Sequence, residues 1–524
     1  MKSKTILFTI LALAFALRFF QLGQVPPSLN WDENSNAYNA YSILKTGRDE
    51  YGNFLPLANR SFDDYKPPLY MYLSVPSIAI FGLTPFAARL PSAVFGFLTV
   101  PLVYLLARKL FQNSSNKETI ALIAALLLSI APWHLHFSRI GLEANIGLFL
   151  TVAAVTTFLY GITNKKLLIL SAVLFVLSLY AYHAQRATTP LLLLTLVVIF
   201  KNEIRNFPKK YKAAFVAIIL TGVAILIILA PRETFTGRLQ QAGSEARRED
   251  IEKSIKYLEY DNLSPFSKIV HNRRVTIAQT ALNNYLQSFD LNFLFTRGDD
   301  NSRHHVDGIG MLYLFQLPLA LIGIFLLVKH KNKEALLILA WLLIAPIPVA
   351  LARPSPHAIR SFSMVIPLTI ICALALSVLI QQKGKYRIIA QGVTIIAVAS
   401  SLFIYLHEYF YHYPITHAFS WQYGYAQAAV ESNKLKNDFD KVIVDKSIEQ
   451  AYVFWLFNTK YDPKNFQENG NANSFDKFYF SDQAPTNPRE LFVSASDLPE
   501  GFKTVALINL PNGEKSIKIG YKEK

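Results

Sequence analysis

Long apolar stretches recur along most of the chain, and they constrain its fold more than any other feature. Twelve can be identified, at about 5–22, 67–83, 88–108, 118–134, 144–162, 167–182, 187–200, 213–230, 311–328, 335–351, 359–380 and 388–406. Most are long enough to cross a hydrocarbon core of about 30 Å as a helix. Only 17% of the residues are charged, whereas a soluble protein carries about 25%. The pattern predicts a polytopic α-helical membrane protein.

The net charge of +16 is distributed in a way that argues against binding of nucleic acid. Lys and Arg lie mostly in short connections between the apolar stretches, which is typical of topology signals in membrane proteins. No RNA-binding signature or zinc-finger spacing is present, so we expect no nucleic acid partner. The single cysteine, Cys372, lies in an apolar stretch and excludes an intrachain disulfide or a Cys-based metal site.

The basic residues also predict how the chain crosses the membrane. The stretch 67–83 is short and begins with two prolines, so we interpret it as a juxtamembrane segment, which leaves about eleven transmembrane helices. The N-terminal stretch has no convincing signal-peptide cleavage site and is expected to be the first span, with the N-terminus in the cytoplasm. Most basic groups then fall inside, as the positive-inside rule requires. They are Arg108, Lys109, Lys117, Lys165, Lys166 and the segments 201–212, 329–333 and 383–387.

This topology divides the chain into two predicted domains of a multi-pass cell-membrane protein. Residues 1–406 form the transmembrane domain, with outer loops 23–87 and 231–310, and residues 407–524 form a soluble extracytoplasmic α/β domain. In the second loop, 244–260 is expected to be an amphipathic helix on the membrane surface. In the C-terminal domain, the pattern predicts strands at 441–445, 477–480, 491–495 and 504–510, a helix at 447–460 and a hairpin turn at Asn512-Gly513.

Three acidic residues lie near membrane depth on the outer side. Asp32 and Glu33 follow the first apolar stretch, and Glu143 begins another. Carboxylates at that depth are costly unless they are paired or functional. The segment that follows Glu33 predicts a short amphipathic helix parallel to the membrane, with Gly47 as its C-cap.

Basic and imidazole side chains share this outer face. They are Lys66, His134, His136, Arg139, His183, Arg186, Arg353, His357 and Arg360. A solvated loop or snorkelling side chains would explain any one of them. The combination instead suggests a site where an anionic lipid headgroup meets a proton-accepting carboxylate. Four histidines could bind a metal by residue type, namely His134, His136, His304 and His305. Their spacing matches no specific motif, so structural roles are favoured for them.

Several segments, in their order along the chain, resemble one family of membrane glycosyltransferases. "DE" after the first span is followed by "YKPPLY", "FAARLPSAVFG" and "SRIGLEAN", and later by "RHHVDGIGMLYLFQLPLALIGIF" and "PHAIRS". The chain resembles the protein O-mannosyltransferase and lipid A aminoarabinose transferase family of GT-C glycosyltransferases over roughly residues 5–380. No single motif is decisive, but their order and membrane placement are fairly specific.

The resemblance implies transfer of a sugar from a polyprenyl-phosphate donor to a lipid, glycan or protein acceptor outside the cytoplasm, as an inverting hexosyl or pentosyl transfer. It implies that Asp32 is the base, with Glu33 beside it and Glu143 as a second catalytic acid, and that Lys66 contacts the donor phosphate. The remaining predicted substrate-binding residues are Tyr65, Arg139, His183, Arg186, His357 and Arg360. Relatives carry Glu where this chain has Tyr65, which removes a candidate metal ligand; no cofactor is defined, and a divalent metal stays an open alternative.

The chemistry of such a transfer suits these residue types. A base must take the acceptor proton, which Asp can do. Cations must stabilise the leaving phosphate, and Lys66, Arg186 and Arg360 are candidates. Two alternatives stay open: a lipid-linked glycan flippase or other transporter, and a non-catalytic assembly subunit. A transporter should place polar groups along a path through the bilayer, whereas here they concentrate at the outer ends of the spans, apart from Arg18.

Overall fold

The computed structural model describes residues 2–62, 64–229, 248–350, 353–382 and 384–523, and most of the part before residue 417 is helical. The helices up to that point are α1 (Lys2–Phe19), α2 (Trp31–Thr46), α3 (Leu69–Phe81), α4 (Pro85–Leu110), α5 (Lys117–Ile130), α6 (Pro132–Phe137), α7 (Glu143–Gly161), α8 (Lys166–Ala181), α9 (Gln185–Ile199), α10 (Lys201–Arg205), α11 (Lys209–Leu229), α12 (248–260), α13 (Pro265–Val270), α14 (Arg273–Gln287), α15 (Gln316–His330), α16 (Lys333–Ile344), α17 (Ile347–Ala350), α18 (Val365–Leu379), α19 (Lys385–His407) and α20 (Tyr413–Thr416).

The predicted apolar stretches coincide with helices. Within the described residues, six helical segments are long and apolar enough to cross a membrane, and α3, α8, α9 and α15 are shorter apolar helices. The protein is therefore a multi-pass membrane protein. The juxtamembrane helix α3 has 13 residues, about 20 Å at 1.5 Å per residue, which is too short to span the bilayer by itself. The count of eleven spans stays a prediction.

The transmembrane helices form a packed bundle with a distinct centre and periphery. Helices α7 and α18 are almost wholly buried, whereas very few residues of α11 and α19 are buried along their apolar lengths. Contacts between α4, α5, α7 and α18 build the main apolar core. Helix α15 approaches α18 closely at Gly323, where a Cβ atom would collide with the carbonyl oxygen of Ile371. The exposed faces of α11 and α19 suit contact with lipid.

Helix α2 begins and ends as the sequence predicts, but its surroundings differ. Asn30 caps its first turn in a capping box with Glu33, and Gly47 ends it in the left-handed conformation at a φ of 70°. The prediction that α2 is an amphipathic helix on the membrane surface is wrong, because most of the helix is buried. It packs against α3 on one side and against helices of the C-terminal part on the other. Polar side chains on all faces of α2 therefore face protein rather than lipid headgroups.

The C-terminal part contains a six-stranded sheet, which includes the predicted strands. Its helices are α21 (Tyr425–Leu435), α22 (Ala451–Asn458) and α23 (Pro463–Asn469). Its strands are β3 (Lys441–Asp445), β4 (Ser474–Phe475), β5 (Phe478–Ser481), β6 (Glu490–Ser494), β7 (Phe502–Asn509) and β8 (Lys515–Lys522), in the order β4-β5-β3-β6-β8-β7. Strand β3 is parallel to β5 and β6, and β8 is antiparallel to β6 and β7.

One apolar cluster joins the C-terminal part to α2 and α3. It includes Tyr38 and Met71 from the membrane-proximal helices and Phe454 and Trp455 from α22. The helical segment before this part runs from Arg387 to Thr416, so the domain boundary predicted at 407 falls inside a helix and stays a prediction. In the second outer loop, 248–260 is helical as expected, whereas 244–247 lie outside the described residues.

Candidate active site

Asp32 and Lys66 are brought together by the first turn of α2 and a short hairpin. The hairpin consists of β1 (Asn59–Ser61) and β2 (Asp64–Lys66), which pair antiparallel. The Lys66 ammonium donates to Asp32 Oδ1 and to Ser61 Oγ at 3.4 Å. The Lys66 side chain is 3% exposed, but that of Asp32 is 30% exposed. The pair is thus anchored on the lysine side and open on the carboxylate side.

The open side of Asp32 faces a cavity of about 830 Å³ between this hairpin and the C-terminal sheet. Its aromatic walls are formed by Trp31, Tyr51, Phe62, Tyr452 and Phe480, and its charged walls by Asp32, Arg60, Asp64, Asp445, Lys446 and Glu449. Tyr65, a predicted substrate-binding residue, lies in β2 opposite Arg60. The Arg60 guanidinium lies 6.0 Å from the Tyr65 ring and 4.4 Å from the Tyr51 ring. A cavity of this size can hold a sugar ring and part of an acceptor.

Glu33 occupies a different environment from its neighbour Asp32. Both carboxylate oxygens accept hydrogen bonds from Arg89, at 2.9 and 3.3 Å. The main-chain N–H groups of Gly141 and Asn30 also donate to them, at 2.7 and 3.1 Å. The Glu33 and Arg89 side chains are both fully buried. Four donors already occupy the carboxylate oxygens of Glu33. We therefore interpret Glu33 as a positioning residue rather than as the catalytic residue that the sequence predicted.

Glu143 is joined to α2 through a chain of amides. Asn36 donates to Glu143 Oε1 at 3.1 Å and accepts from Asn59 at 2.7 Å. Glu143 is buried, and the charges of Lys66 and Asp32 act on it. Glu143 therefore lies close enough to the Asp32–Lys66 pair for both charges to act on it. Asn36 and Asn59 were missed, because an isolated Asn carries no distinctive signal in a single sequence.

Arg139 makes structural contacts within the protein, and its predicted contact with substrate stays a prediction. Its guanidinium donates to the carbonyl oxygens of Leu17, Arg18 and Val25 at 2.8, 3.2 and 3.1 Å. The side chain is fully buried, and it also donates to the Tyr409 hydroxyl at 3.3 Å. These carbonyls lie at and beyond the C-terminal end of α1, where a cation is favoured by the helix dipole. These contacts favour a structural role for the Arg139 guanidinium.

His183 and Arg186 lie in the turn between α8 and α9. Arg186 donates to the Leu179 carbonyl at 3.2 Å, and its guanidinium lies 3.4 Å from His183 Nδ1. Both side chains are half-buried. Their predicted contact with substrate stays a prediction.

His357 and Arg360 lie in the turn before α18. Arg360 donates to the Arg353 carbonyl at 2.9 Å. Arg353 forms ion pairs with Glu249 and Asp250 of α12, the second at 3.3 Å. His357 joins Asp299 and His304 in a cluster whose ligand atoms all lie within 4.8 Å of one another.

The four histidines that the sequence offered as metal ligands have different polar partners in the structure. His134 lies 2.8 Å from Arg18, which also donates to the carbonyls of Leu128 and Ser129. His136 bonds to the Arg303 carbonyl at 2.7 Å. His304 belongs to the cluster with Asp299, whereas His305 lies 3.6 Å from Asp307. Arg18 is therefore occupied by structural contacts and does not mark a path through the bilayer.

Arg303 is a basic residue near the cavity that the sequence did not single out. Its guanidinium lies 5.1 Å from the centre of the Trp31 ring, next to Asp32 in the chain. Within the part of the chain that the structure describes, no carboxylate lies within ion-pair distance of it. A basic residue in a long loop, directly before two histidines, gives no sign of its distance to residue 31. A cation without an acidic partner beside the cavity is a candidate for binding an anion.

Comparison with known proteins agrees with this architecture. A family model described as dolichyl-phosphate-mannose-protein mannosyltransferase matches residues 65–228. No curated protein matches the chain significantly. The crystal structure of ArnT from Cupriavidus metallidurans in the apo state superposes with a TM-score of 0.56 and 11% identity, covering 99% of this chain and 98% of that one. The same protein bound to undecaprenyl phosphate gives 0.56 and 12%, covering 98% and 97%. The chain therefore shares the fold of ArnT, and residues 65–228 resemble the protein mannosyltransferases.

Proposed function

We propose that the protein is an integral membrane glycosyltransferase that moves a sugar from a polyprenyl-phosphate donor to an acceptor on the extracytoplasmic face. The observation that carries this proposal is the pairing of Asp32 and Lys66 at an 830 Å³ cavity. A partly exposed carboxylate and a buried ammonium supply the base and the cation that the reaction needs. The family match and the ArnT fold support a lipid-phosphate donor.

In the proposed reaction, an acceptor hydroxyl attacks the anomeric carbon of the donor from the cavity side. A bond forms between the acceptor oxygen and that carbon, and the bond from the carbon to the phosphate oxygen breaks. The lipid phosphate leaves with the electron pair, and the acceptor proton passes to Asp32. Attack opposite the leaving group inverts the anomeric centre.

Lys66 links the two halves of this reaction. Its ammonium has three donors, and in the structure it contacts Asp32 and Ser61. A donor phosphate would compete with Asp32 for the ammonium. The Asp32 carboxylate would then lose part of its ionic partner and become a better proton acceptor once donor is bound. Glu143, which accepts a hydrogen bond from Asn36 and lies within reach of the charges of this pair, is a second candidate acid.

Arg303 is the second cation that we place near the donor phosphate. Its guanidinium lies against Trp31 and can engage two phosphate oxygens at once, whereas Lys66 acts as a point charge. Arg360, His183 and Arg186 stay further candidates. The acceptor side of the cavity is lined by the β3–α22 segment, including Lys446 and Glu449. We propose that this segment selects the acceptor, whether lipid, glycan or protein.

The test uses purified protein in lipid nanodiscs with an acceptor fraction from the cell envelope. A labelled polyprenyl-phosphate sugar and the corresponding nucleotide sugar are offered separately. Transfer is expected from the lipid donor alone. Transfer from the nucleotide sugar alone, or movement of the intact lipid donor across the bilayer without transfer, would contradict the proposal.

Two arginine variants test the placement of the donor phosphate. Arg303→Ala should raise the KM for donor by about 10- to 150-fold, which corresponds to 1.5–3 kcal/mol for a charged hydrogen bond. The matched control is Arg297→Ala in the same loop, because Arg297 is 77% exposed and pairs with Asp300. The control should keep the native KM. Equal effects of the two variants would contradict a specific role for Arg303.

A further inference from the structure

Asp299, His304 and His357 come from two outer segments that are more than fifty residues apart. Asp299 and His304 follow the helical turn Asn292–Thr296, and His357 lies in the turn before α18. Their ligand atoms all lie within 4.8 Å of one another. The imidazole rings of His304 and His357 are neighbours, with centres 5.1 Å apart. Two imidazoles and one carboxylate therefore converge on one point.

The carboxylate is held in place before any ligand arrives. Asp299 Oδ1 accepts from the N–H of Asn301 at 2.9 Å, and Oδ2 accepts from the N–H of Ala358 at 2.6 Å. His304 Nδ1 lies 2.8 Å from the same Oδ2 atom. Asp299 is 1% exposed. A buried carboxylate with its orientation fixed by main-chain donors is the arrangement that supports a metal site.

The ligand types and spacing suit zinc. Zn²⁺ binds imidazole nitrogen and carboxylate oxygen at about 2.0–2.2 Å, so ligand atoms on one ion lie about 3–4 Å apart. The observed spread needs only small side-chain rotations to reach that range. Three protein ligands also leave a fourth position for water. The alternative is a metal-free hydrogen-bonded cluster, in which the His304–Asp299 contact alone stabilises the buried carboxylate.

We propose that Asp299, His304 and His357 bind one divalent transition-metal ion, with Zn²⁺ preferred, which joins the loop carrying Arg303 to the turn carrying Arg360. The metal has a positioning role, because His304 adjoins Arg303 in the chain and His357 lies one turn before Arg360. Neither the ligand geometry nor its test depends on the proposed glycosyl transfer.

The test measures metal on the purified full-length protein without any turnover. The protein is stripped with a chelator, loaded with Zn²⁺, dialysed and analysed by inductively coupled plasma mass spectrometry. The native chain should retain about one zinc per protein, and Zn²⁺ should raise its melting temperature, since a ligand that binds only the folded state stabilises it. His357→Ala should lose both effects.

His271→Ala is the matched control, since His271 is 30% exposed and lies 3.4 Å from Asp261 in another His–Asp pair. It should retain the native zinc content. Because His304→Ala affects a more buried residue and could impair folding, His357→Ala decides the result, with Co²⁺ absorption as a second readout. A stripped native chain that takes up less than about 0.2 zinc per protein would overturn the proposal. Full zinc retention and an unchanged Co²⁺ spectrum in folded His357→Ala would overturn it as well.

Discussion

Asp32 and Glu33 are adjacent in the chain, but we assign a catalytic role to the first and a positioning role to the second. A substitution of Glu33 tests this difference. Glu33→Gln keeps the size of the side chain but removes its charge beside Arg89, at the centre of a fully buried ion pair. One amide oxygen can still accept from Arg89 and Gly141. The new NH₂ group, however, replaces the oxygen that accepts from Arg89 and from the Asn30 N–H. The substitution therefore leaves a buried guanidinium charge without its counter-ion.

Breaking a buried ion pair by removing one partner costs about 3–5 kcal/mol. Part of the Arg89 charge stays solvated by the carbonyl oxygens of Leu22, Pro26 and Ser28, at 3.2, 2.8 and 2.6 Å. We therefore expect the free energy of unfolding to fall by about 3 kcal/mol, at the lower end of that range. The measurement is equilibrium unfolding in mixed detergent micelles, with the turnover of the folded fraction measured in parallel.

Glu118→Gln is the matched control for this experiment. Glu118 pairs with Arg108 at 3.2 Å, but both side chains are at least one-third exposed, and such pairs contribute about 0–1 kcal/mol. The folded fraction of Glu33→Gln should keep turnover within about tenfold of native, because a positioning residue acts on geometry rather than on a proton. A Glu33→Gln protein as stable as the control but without turnover would refute the positioning role and restore Glu33 as a catalytic group.

Two further predictions concern stability and topology. Burial raises the pKa of Glu50 from 4.5 to about 8. Between these pH values the folded protein therefore holds a proton that the unfolded chain releases. The free energy of unfolding should fall as pH rises from about 4.5 to about 8, by up to about 5 kcal/mol. Glu50→Gln keeps the acceptor for Asn39 and should flatten this dependence of the unfolding free energy, whereas an unchanged pH profile would show that Glu50 titrates normally. For topology, the Cys372→Ser protein gives a cysteine-free background. In intact cells, Lys464→Cys should react with an impermeant thiol reagent, whereas Lys166→Cys should not. Labelling at residue 166 would contradict a cytoplasmic N-terminus.

Helix and strand positions followed from local patterns. Apolar length predicted the helices, Gly47 predicted the end of α2, and alternation predicted the strands of the C-terminal part. These features depend on neighbours in the chain, so one sequence carries them. The burial of α2 could not be predicted from local patterns, because its apolar face is narrow. Its polar faces contact residues about 420 positions later in the chain, such as Tyr461 and Gln467.

The candidate site was predictable only in part for the same reason. The prediction placed Asp32 and Lys66 on one face, and the structure pairs them. Charge alone could not separate Arg139, which binds carbonyl oxygens, from Arg303, which lies beside the cavity. Arg89 had a usable signal, since an ionisable residue within an apolar stretch requires a buried partner. The cluster of Asp299, His304 and His357 had none, because its residues share no motif spacing.

In the proposed reaction, Asp32 takes the proton from the acceptor while Lys66 holds the leaving phosphate. The most direct test is the single-turnover rate of purified Asp32→Asn protein with a saturating polyprenyl-phosphate sugar and the acceptor fraction. The Asn side chain can still contact Lys66 but cannot accept the proton, so the rate should fall by about 10²–10⁴-fold while donor binding persists. Native-like turnover by folded Asp32→Asn protein would contradict the account.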